Sequence, residues 1–156
     1  MKKLIRLIIN RTSHDLYIDT RSSLLDVIRN EVGLMGAHRG CDTGNCGACT
    51  IHVNGLAMNS CLLLAADYDG AEVLTVEGVA QNGEMHPVQR SLVEHGAIQC
   101  GFCTPGFVMN SLALLSDLPL PTEAEIRARL SGNLCRCTGY VKIVEAVMYL
   151  SAHGHS

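Results

Sequence analysis

The stretch GCDTGNCGACTIHVNG, residues 40–55, places three of the chain's eight cysteines within one short loop. Their spacing is C-x4-C-x2-C, and a fourth cysteine follows after eleven further residues. Plant-type [2Fe–2S] sites have this C-x4-C-x2-C spacing with a distant fourth cysteine. Zinc sites usually open with a shorter C-x2–4-C pair that is matched by a second pair. The spacing therefore predicts a [2Fe–2S] cluster held by Cys41, Cys46, Cys49 and Cys61.

Glycines recur through the same loop, at Gly40, Gly44 and Gly47. Glycine lets the backbone bend tightly around an inorganic core. Amide N–H groups on such a loop can point at sulfur and stabilise the negative charge that a cluster gains on reduction. We expect these three glycines to form the backbone that surrounds the cluster.

A second set of cysteines lies in QCGFCTPG, residues 99–106, and GNLCRCTGY, residues 132–140. The set reads C-x2-C, thirty-one residues, then C-x-C, and its members are Cys100, Cys103, Cys135 and Cys137. Spacing alone leaves a four-cysteine zinc site and a cluster both open here. A thioredoxin-like C-x-x-C needs a βαβ setting, and this half is predicted to be helical. Both pairs precede predicted helices, whose N-termini favour an anionic thiolate cluster.

The first half of the chain has the pattern of a sheet. Strands are predicted over residues 2–10, 14–20, 50–60 and 72–78, and an amphipathic helix, capped by Ser22 or Ser23, over residues 22–33. Asn54-Gly55 divides residues 50–60 into two extended runs and predicts a hairpin.

The second half has the pattern of a small helical bundle. Helices are predicted over residues 87–96, 104–117, 122–132 and 138–152, with Thr104 and Thr122 as N-terminal caps. Residues 79–85 are polar and turn-rich. We therefore expect an α+β chain with a sheet domain at 1–78, a linker at 79–85 and a four-helix domain at 86–156.

Composition narrows the classes of function. The net charge of −3 offers no basic field for nucleic acid or anionic lipid. Apolar residues make up 47% and charged residues 17%, so some apolar surface is expected to face a partner protein. MKKLIRLIIN, residues 1–10, fits a first strand better than a signal peptide, and no apolar run is long enough for a membrane span. Without a signal peptide, eight cysteines favour metal ligands in the cytoplasm over a secreted disulfide scaffold.

Residues 40–55, 99–106 and 132–140 together resemble the small iron–sulfur subunit of the molybdenum hydroxylases, the xanthine dehydrogenase family. That family includes carbon monoxide dehydrogenase, 4-hydroxybenzoyl-CoA reductase and nicotinate dehydrogenase. The resemblance covers nearly the whole chain, and all eight cysteines stand at the family's ligand positions. It implies a β-grasp ferredoxin-like domain followed by a four-helix domain, each with one [2Fe–2S] cluster.

The resemblance also implies partner subunits and a role in electron transfer between them. A large subunit would carry molybdopterin, with the cytosine dinucleotide as a candidate form, and a medium subunit would carry FAD. The three subunits would assemble as a dimer of heterotrimers, in which electrons pass between molybdenum and FAD, or another acceptor, through both clusters. Gln99 and Cys137 match positions close to the pterin.

No catalytic acid, base or nucleophile set is evident, and no G-x-G-x-x-G follows a strand. Five scattered histidines are expected to be ordinary loop or surface residues: His14, His38, His52, His86 and His95. His153 and His155 are expected to belong to a frayed tail. A diffusible ferredoxin and a zinc-stabilised interaction module are the rival classes. The first tends to be strongly acidic, which −3 on 156 residues is not.

Overall fold

The structure is a computed structural model that describes residues 1–154. His155 and Ser156, the last two residues of the predicted helical domain, lie outside the described residues. The expectation that His155 belongs to a frayed tail therefore falls outside the described residues as well. His153 is in a helix, not a frayed tail, and its ring stacks on Tyr149 at 4.2 Å.

A mixed five-stranded sheet forms the first half. Its strands are β1 (Lys2–Ile9), β2 (Thr12–Asp19), β3 (Thr50–Val53), β4 (Leu56–Asn59) and β5 (Glu72–Leu74). They run in the order β2-β1-β5-β3-β4; β1 and β5 are parallel, and the other neighbours are antiparallel. Alternate β1 residues Ile5, Leu7 and Ile9 are buried, so one face of the sheet carries the core.

The predicted hairpin at Asn54-Gly55 is confirmed. Both residues have positive φ, 50° and 82°, which suits a two-residue turn between antiparallel strands. The strand predicted over residues 72–78 is shorter than expected, because Thr75 turns away to bond with the Asn10 side chain and a 3-10 turn, Val76–Gly78, follows.

The helix predicted over residues 22–33 is present but is not a regular α-helix. Ser23 caps it through the Asp26 N–H, and one short α segment, α1 (Leu24–Asp26), passes into a π-helical segment, Val27–Glu31. The Val32 N–H bonds to the Val27 carbonyl at 3.1 Å, five residues back. Four apolar side chains of this segment pack on the sheet: Leu24, Leu25, Val27 and Ile28.

Four helices follow, as predicted: α2 (Pro87–Glu94), α3 (Thr104–Asp117), α4 (Glu123–Leu130) and α5 (Val141–His153). The capping box of Thr122 and Glu125 is confirmed. The cap predicted at Thr104 is wrong: Cys103 is the N-cap, so Thr104 is already helical. Helix α5 starts three residues later than predicted, because residues up to Tyr140 form the turn that carries two cysteines.

Each half has its own apolar cluster, and the α+β fold class is confirmed. The first cluster lies between the sheet and residues 24–28, and the second lies among α2, α3, α4 and α5. Val79 packs into the helical cluster. The division of the chain at 79–85 stays a prediction. Within residues 1–154, no helix has both the length and the apolar character that a membrane crossing requires.

Helix α3 joins the halves by lying against β3 and β4. The His52 side chain on β3 donates from Nε2 to the Met109 carbonyl on α3 at 2.7 Å. Gly106 on α3 lies against the Gly47 backbone so closely that an added Cβ would overlap the Gly47 carbonyl oxygen. The absence of a side chain at Gly106 therefore sets how near the helix comes to the first cysteine loop.

The close contact at Gly106 predicts that a substitution that favours the helix lowers the stability of the protein. Gly106→Ala should improve local helix propensity by about 1 kcal/mol. It should nevertheless lower the free energy of unfolding by about 1–3 kcal/mol, because backbone faces the new methyl group. Thermal unfolding of the loaded protein measures it. Gly132→Ala is the matched control, since an added Cβ there meets nothing within 4 Å. Equal stability of the two variants would contradict the packing account.

Candidate metal centres

The first site is built by the loop before β3 and the turn after β4. Cys41 and Cys46 lie in the loop, and Cys49 directly precedes β3. Cys61 lies in the 3-10 turn Ser60–Leu62. The β3–β4 hairpin brings Ser60, the neighbour of Cys61, back to Cys49. The Ser60 hydroxyl and N–H both bond to the Cys49 carbonyl, at 2.7 and 3.3 Å. The sequence-predicted four cysteines are thus brought together.

The thiols of the first site stand in two pairs. Cys41 lies beside Cys46, and Cys49 lies beside Cys61. Burial raises the pKa of Cys49 to about 11, and the Cys61 thiol adds to the rise. Burial also raises the pKa of Cys46, and its neighbours Cys41 and Cys61 add to the rise.

The second site is built by the residues that precede α3 and α5. Cys100 and Cys103 come before and at the cap of α3, and Cys135 and Cys137 lie in the turn before α5. These thiols also pair. The Sγ atoms of Cys137 and Cys100 are 3.6 Å apart, and the Cys103 thiol lies beside that of Cys135.

Paired thiols fit a two-iron cluster. A [2Fe–2S] cluster takes four cysteines, two on each iron. Each site supplies two thiol pairs from four cysteines. In the part of the chain that is described, no three His, Cys, Asp or Glu side chains are arranged to hold a single ion. The donor set and its pairing match the cluster that the spacing predicted.

Backbone and hydroxyl donors point at the sulfur atoms. In the first site the Thr43 N–H reaches Cys41 Sγ at 3.4 Å, and in the second the Thr138 N–H reaches Cys135 Sγ at 3.4 Å. The Thr43 hydroxyl and N–H, followed by the Cys46 amide, lower the pKa of Cys41 to about 6. Donors of this kind stabilise thiolate, the form that binds metal.

The three loop glycines have different duties. A Cβ at Gly40 would come within 2.7 Å of Cys46 Sγ, so this glycine makes room for the sulfur itself. Gly44 lies under the Leu62 side chain and has φ of 77°. Gly47 has φ of 68°, and a Cβ there would overlap the Gly132 carbonyl of the helical half. Gly47 therefore serves the packing of one half on the other.

Two amide contacts tie the first site to the second. The Leu134 N–H donates to the Cys46 carbonyl at 2.9 Å, one residue before Cys135. The Asn133 side chain, 2% exposed, donates from Nδ2 to the Gly47 carbonyl at 3.0 Å. Asn110 in turn donates to Asn133 Oδ1 at 2.7 Å, so both ends of the buried amide are satisfied. We call these residues 133–134 and 46–47 the joint.

An aromatic contact adds a second link. His38, three residues before Cys41, donates from Nδ1 to the Phe102 carbonyl at 2.7 Å, and the two rings stack at 4.6 Å. Phe102 lies between Cys100 and Cys103. The expectation that His38 and His52 are ordinary loop or surface residues is wrong, because both bridge the halves. His86 caps α2 and His95 bonds within α2, so these two serve local structure.

Models of known families match both halves. Residues 7–75 match a 2Fe-2S iron-sulfur cluster binding domain, and residues 75–148 match a [2Fe-2S] binding domain. The nicotinate dehydrogenase small FeS subunit of Eubacterium barkeri is 43% identical over 148 residues, which cover 95% of this chain and 94% of that one. This chain belongs to the small iron–sulfur subunits of the xanthine dehydrogenase family of molybdenum hydroxylases.

Two further relatives agree. The xanthine dehydrogenase iron-sulfur-binding subunit of Escherichia coli O157:H7 is 46% identical over 143 residues, covering 90% of this chain and 89% of that one. Quinoline 2-oxidoreductase from Pseudomonas putida 86 has a chain of the same fold, with a TM-score of 0.92, 39% identity and 99% of both chains covered. The predicted family is confirmed, and the chain is a non-catalytic subunit of an oxidoreductase with two [2Fe–2S]-binding domains.

Within this family fold, the second site is the more open. Cys100 and Cys137 are exposed and so is Gln99, whereas Cys103 and Cys135 are half-buried. In the first site Cys49 is buried and the other three are half-buried. The residues predicted to lie near a pterin are therefore at the surface.

The sequence analysis missed several polar residues that form hydrogen bonds at the two cysteine sites. Tyr140 has φ of 69°, a left-handed conformation that is unfavourable for a side-chain-bearing residue, and its hydroxyl accepts the Cys135 N–H at 3.0 Å. Asn133 and Thr43 were likewise overlooked. Only their position one to three residues from a cysteine could have indicated them.

The joint predicts a large loss of stability when the Asn133 side chain no longer donates to the Gly47 carbonyl. Asn133→Asp places a carboxylate against the Gly47 carbonyl, so two acceptors face each other in a buried position. The free energy of unfolding should fall by at least about 1–3 kcal/mol, measured by denaturant titration of the loaded protein. Asn30→Asp makes the same chemical change at an exposed residue and should alter stability by less than about 0.5 kcal/mol. Matching losses in the two variants would rule out the joint as described.

Proposed function

We propose that this subunit relays single electrons between a molybdopterin centre on a large partner subunit and FAD, or another acceptor, on a medium partner subunit. Two [2Fe–2S] clusters would be held by Cys41, Cys46, Cys49 and Cys61, and by Cys100, Cys103, Cys135 and Cys137. The observation that carries the proposal is that two paired-thiol sites are joined directly through the joint. When bound, each cluster supplies storage for one electron.

The role of the protein is to hold sulfur and compensate charge. Paired thiols fix the ligand geometry, and amide and hydroxyl donors lie within bonding distance of Cys41 and Cys135 before any electron arrives. Because these donors are part of folded turns, they need little reorganisation when negative charge is gained.

The joint gives a short connection between the two sites. Covalent bonds lead from Cys135 to the Leu134 nitrogen, and one hydrogen bond of 2.9 Å leads to the Cys46 carbonyl. The first and second sites are thereby connected by backbone and a single non-covalent contact. This supports direct transfer between them within the chain.

The outer ends of the relay are proposed from exposure. Cys100, Cys137 and Gln99 would face the molybdopterin subunit, because they are the exposed members of the second site. Leu62 is 58% exposed and lies over Gly44 of the first loop, so this edge would face the FAD subunit. Apolar side chains exposed beside redox sites are typical of docking surfaces.

The assembly is proposed to be a dimer of heterotrimers in the cytoplasm, with molybdopterin in its cytosine dinucleotide form as the candidate cofactor. The names of the relatives describe them as subunits, which supports the presence of larger partners. The formal charge of −3 supports docking to protein rather than to nucleic acid.

Ligand substitutions test the two sites separately. Cys103→Ser and Cys135→Ser should each abolish the second site's paramagnetic signal after dithionite reduction and stop substrate-driven flavin reduction in the complex. Cys49→Ser should abolish only the first site's signal, so each set of variants is the control for the other. Electron paramagnetic resonance of the purified complex measures it. Normal turnover in Cys135→Ser would contradict the relay.

A charged substitution tests the surface at Leu62 that is proposed to face the FAD subunit. Leu62→Arg should weaken co-purification with the medium subunit by about tenfold or more, because a charge would be buried against apolar surface. Leu4→Arg is the matched control: Leu4 is 62% exposed but lies in β1, opposite Tyr17. The paramagnetic signals of both cysteine sites should persist in each variant. Equal retention of the medium subunit by the two variants would remove Leu62 from the interface.

A further inference from the structure

The hydroxyl of Thr138 is directed at a sulfur atom. Thr138 Oγ1 donates to Cys135 Sγ at 3.0 Å, and the same oxygen accepts the Tyr140 N–H at 3.2 Å. Because the oxygen already accepts from Tyr140, its own proton is free to point at Cys135. The Thr138 N–H adds a second bond to the same sulfur at 3.4 Å.

The first site has a related arrangement of different residues. The Thr43 N–H reaches the Cys41 sulfur at 3.4 Å. Asn45 donates from Nδ2 to Thr43 Oγ1 at 3.0 Å, in the place that the Tyr140 N–H takes at Thr138. In each site, therefore, a threonine two or three residues after a cysteine directs its N–H at that sulfur, and at Thr138 the hydroxyl bonds to the sulfur as well.

Two donors from one residue act on the charge at this sulfur. The Thr138 hydroxyl and N–H both bond to Cys135 Sγ, at 3.0 and 3.4 Å. A donor that favours a negative sulfur also favours the reduced cluster, which carries one more negative charge.

We propose that Thr138 is a positioning residue that acts through the sulfur atom of Cys135 and raises the reduction potential of the second [2Fe–2S] site independently of the first. The inference rests on the proposed function, since it takes Cys135 as a cluster ligand. In the reduction step one electron passes from dithionite, or from the partner's redox centre, to the site. No bond breaks, and the hydroxyl proton stays on threonine.

The experiment is a potentiometric titration of the full-length loaded chain, followed by electron paramagnetic resonance. Thr138→Val removes the hydroxyl and keeps the shape, and it should lower the equilibrium constant for reduction of the second site about tenfold, which is about 59 mV for one electron. The first site's potential should stay unchanged. Thr138→Ser, which keeps the hydroxyl, should restore the wild-type potential of the second site.

Two results are distinguishable failures. A loaded Thr138→Val variant that keeps both wild-type potentials would overturn this inference and leave the relay in place. A wild-type chain that shows no iron–sulfur signal would overturn the proposed function and the inference with it.

A measurement on the wild type keeps the inference testable where a valine variant does not load. A hydroxyl proton exchanges with solvent far faster than a folded amide. After brief transfer to D2O, electron–nuclear double resonance of the reduced second site should lose one strongly coupled proton while the amide couplings remain. A second-site signal that loses no rapidly exchanging proton would overturn the role of the Thr138 hydroxyl.

Discussion

The buried side-chain amide of Asn133 holds the two halves of this subunit together at the place where its cysteine sites meet. A buried amide without partners would cost about 1–3 kcal/mol, and here both of its ends are bonded, to Gly47 and to Asn110. Gly47 and Gly106 remove the side chains that would otherwise hold the backbones apart. The close contact lets the Leu134 N–H reach the carbonyl of a cysteine in the other half.

The sulfur atoms around this joint do not share one environment. Cys49 and Cys103 are held in apolar surroundings that oppose charge, whereas Cys41 and Cys135 receive several donors from threonine and backbone. Burial therefore dominates at Cys49 and Cys103, whereas at Cys135 hydrogen bonds act against burial on the same sulfur. Cys49 lies within the core of the sheet half, and Cys103 and Cys135 pack against the core of the helical half.

Local patterns in the sequence predicted most of the helices and strands and the first cysteine loop. Asn54-Gly55, Thr122 with Glu125, and the C-x4-C-x2-C spacing each act within a few residues, so the chain's order reports them directly. The π-helical segment at Val27–Glu31 escaped because the apolar spacing of a short helix does not distinguish a five-residue hydrogen-bond step from a four-residue one. Asn133 and His52 escaped for another reason: their partners lie 86 and 57 residues away, and a single polar residue carries no sign of a contact so remote.

The joint and two histidine hydrogen bonds pack the two halves together as one body. His38 bonds to Phe102, just before α3, and His52 bonds to Met109 on α3. Neither site can move relative to the other without breaking several of these contacts at once. The spacing between the two cysteine sites is thus set within this chain. In the relay proposed above, complexes built with different partner subunits would share this inner distance, and only the distances at the two outer ends would differ from one complex to another.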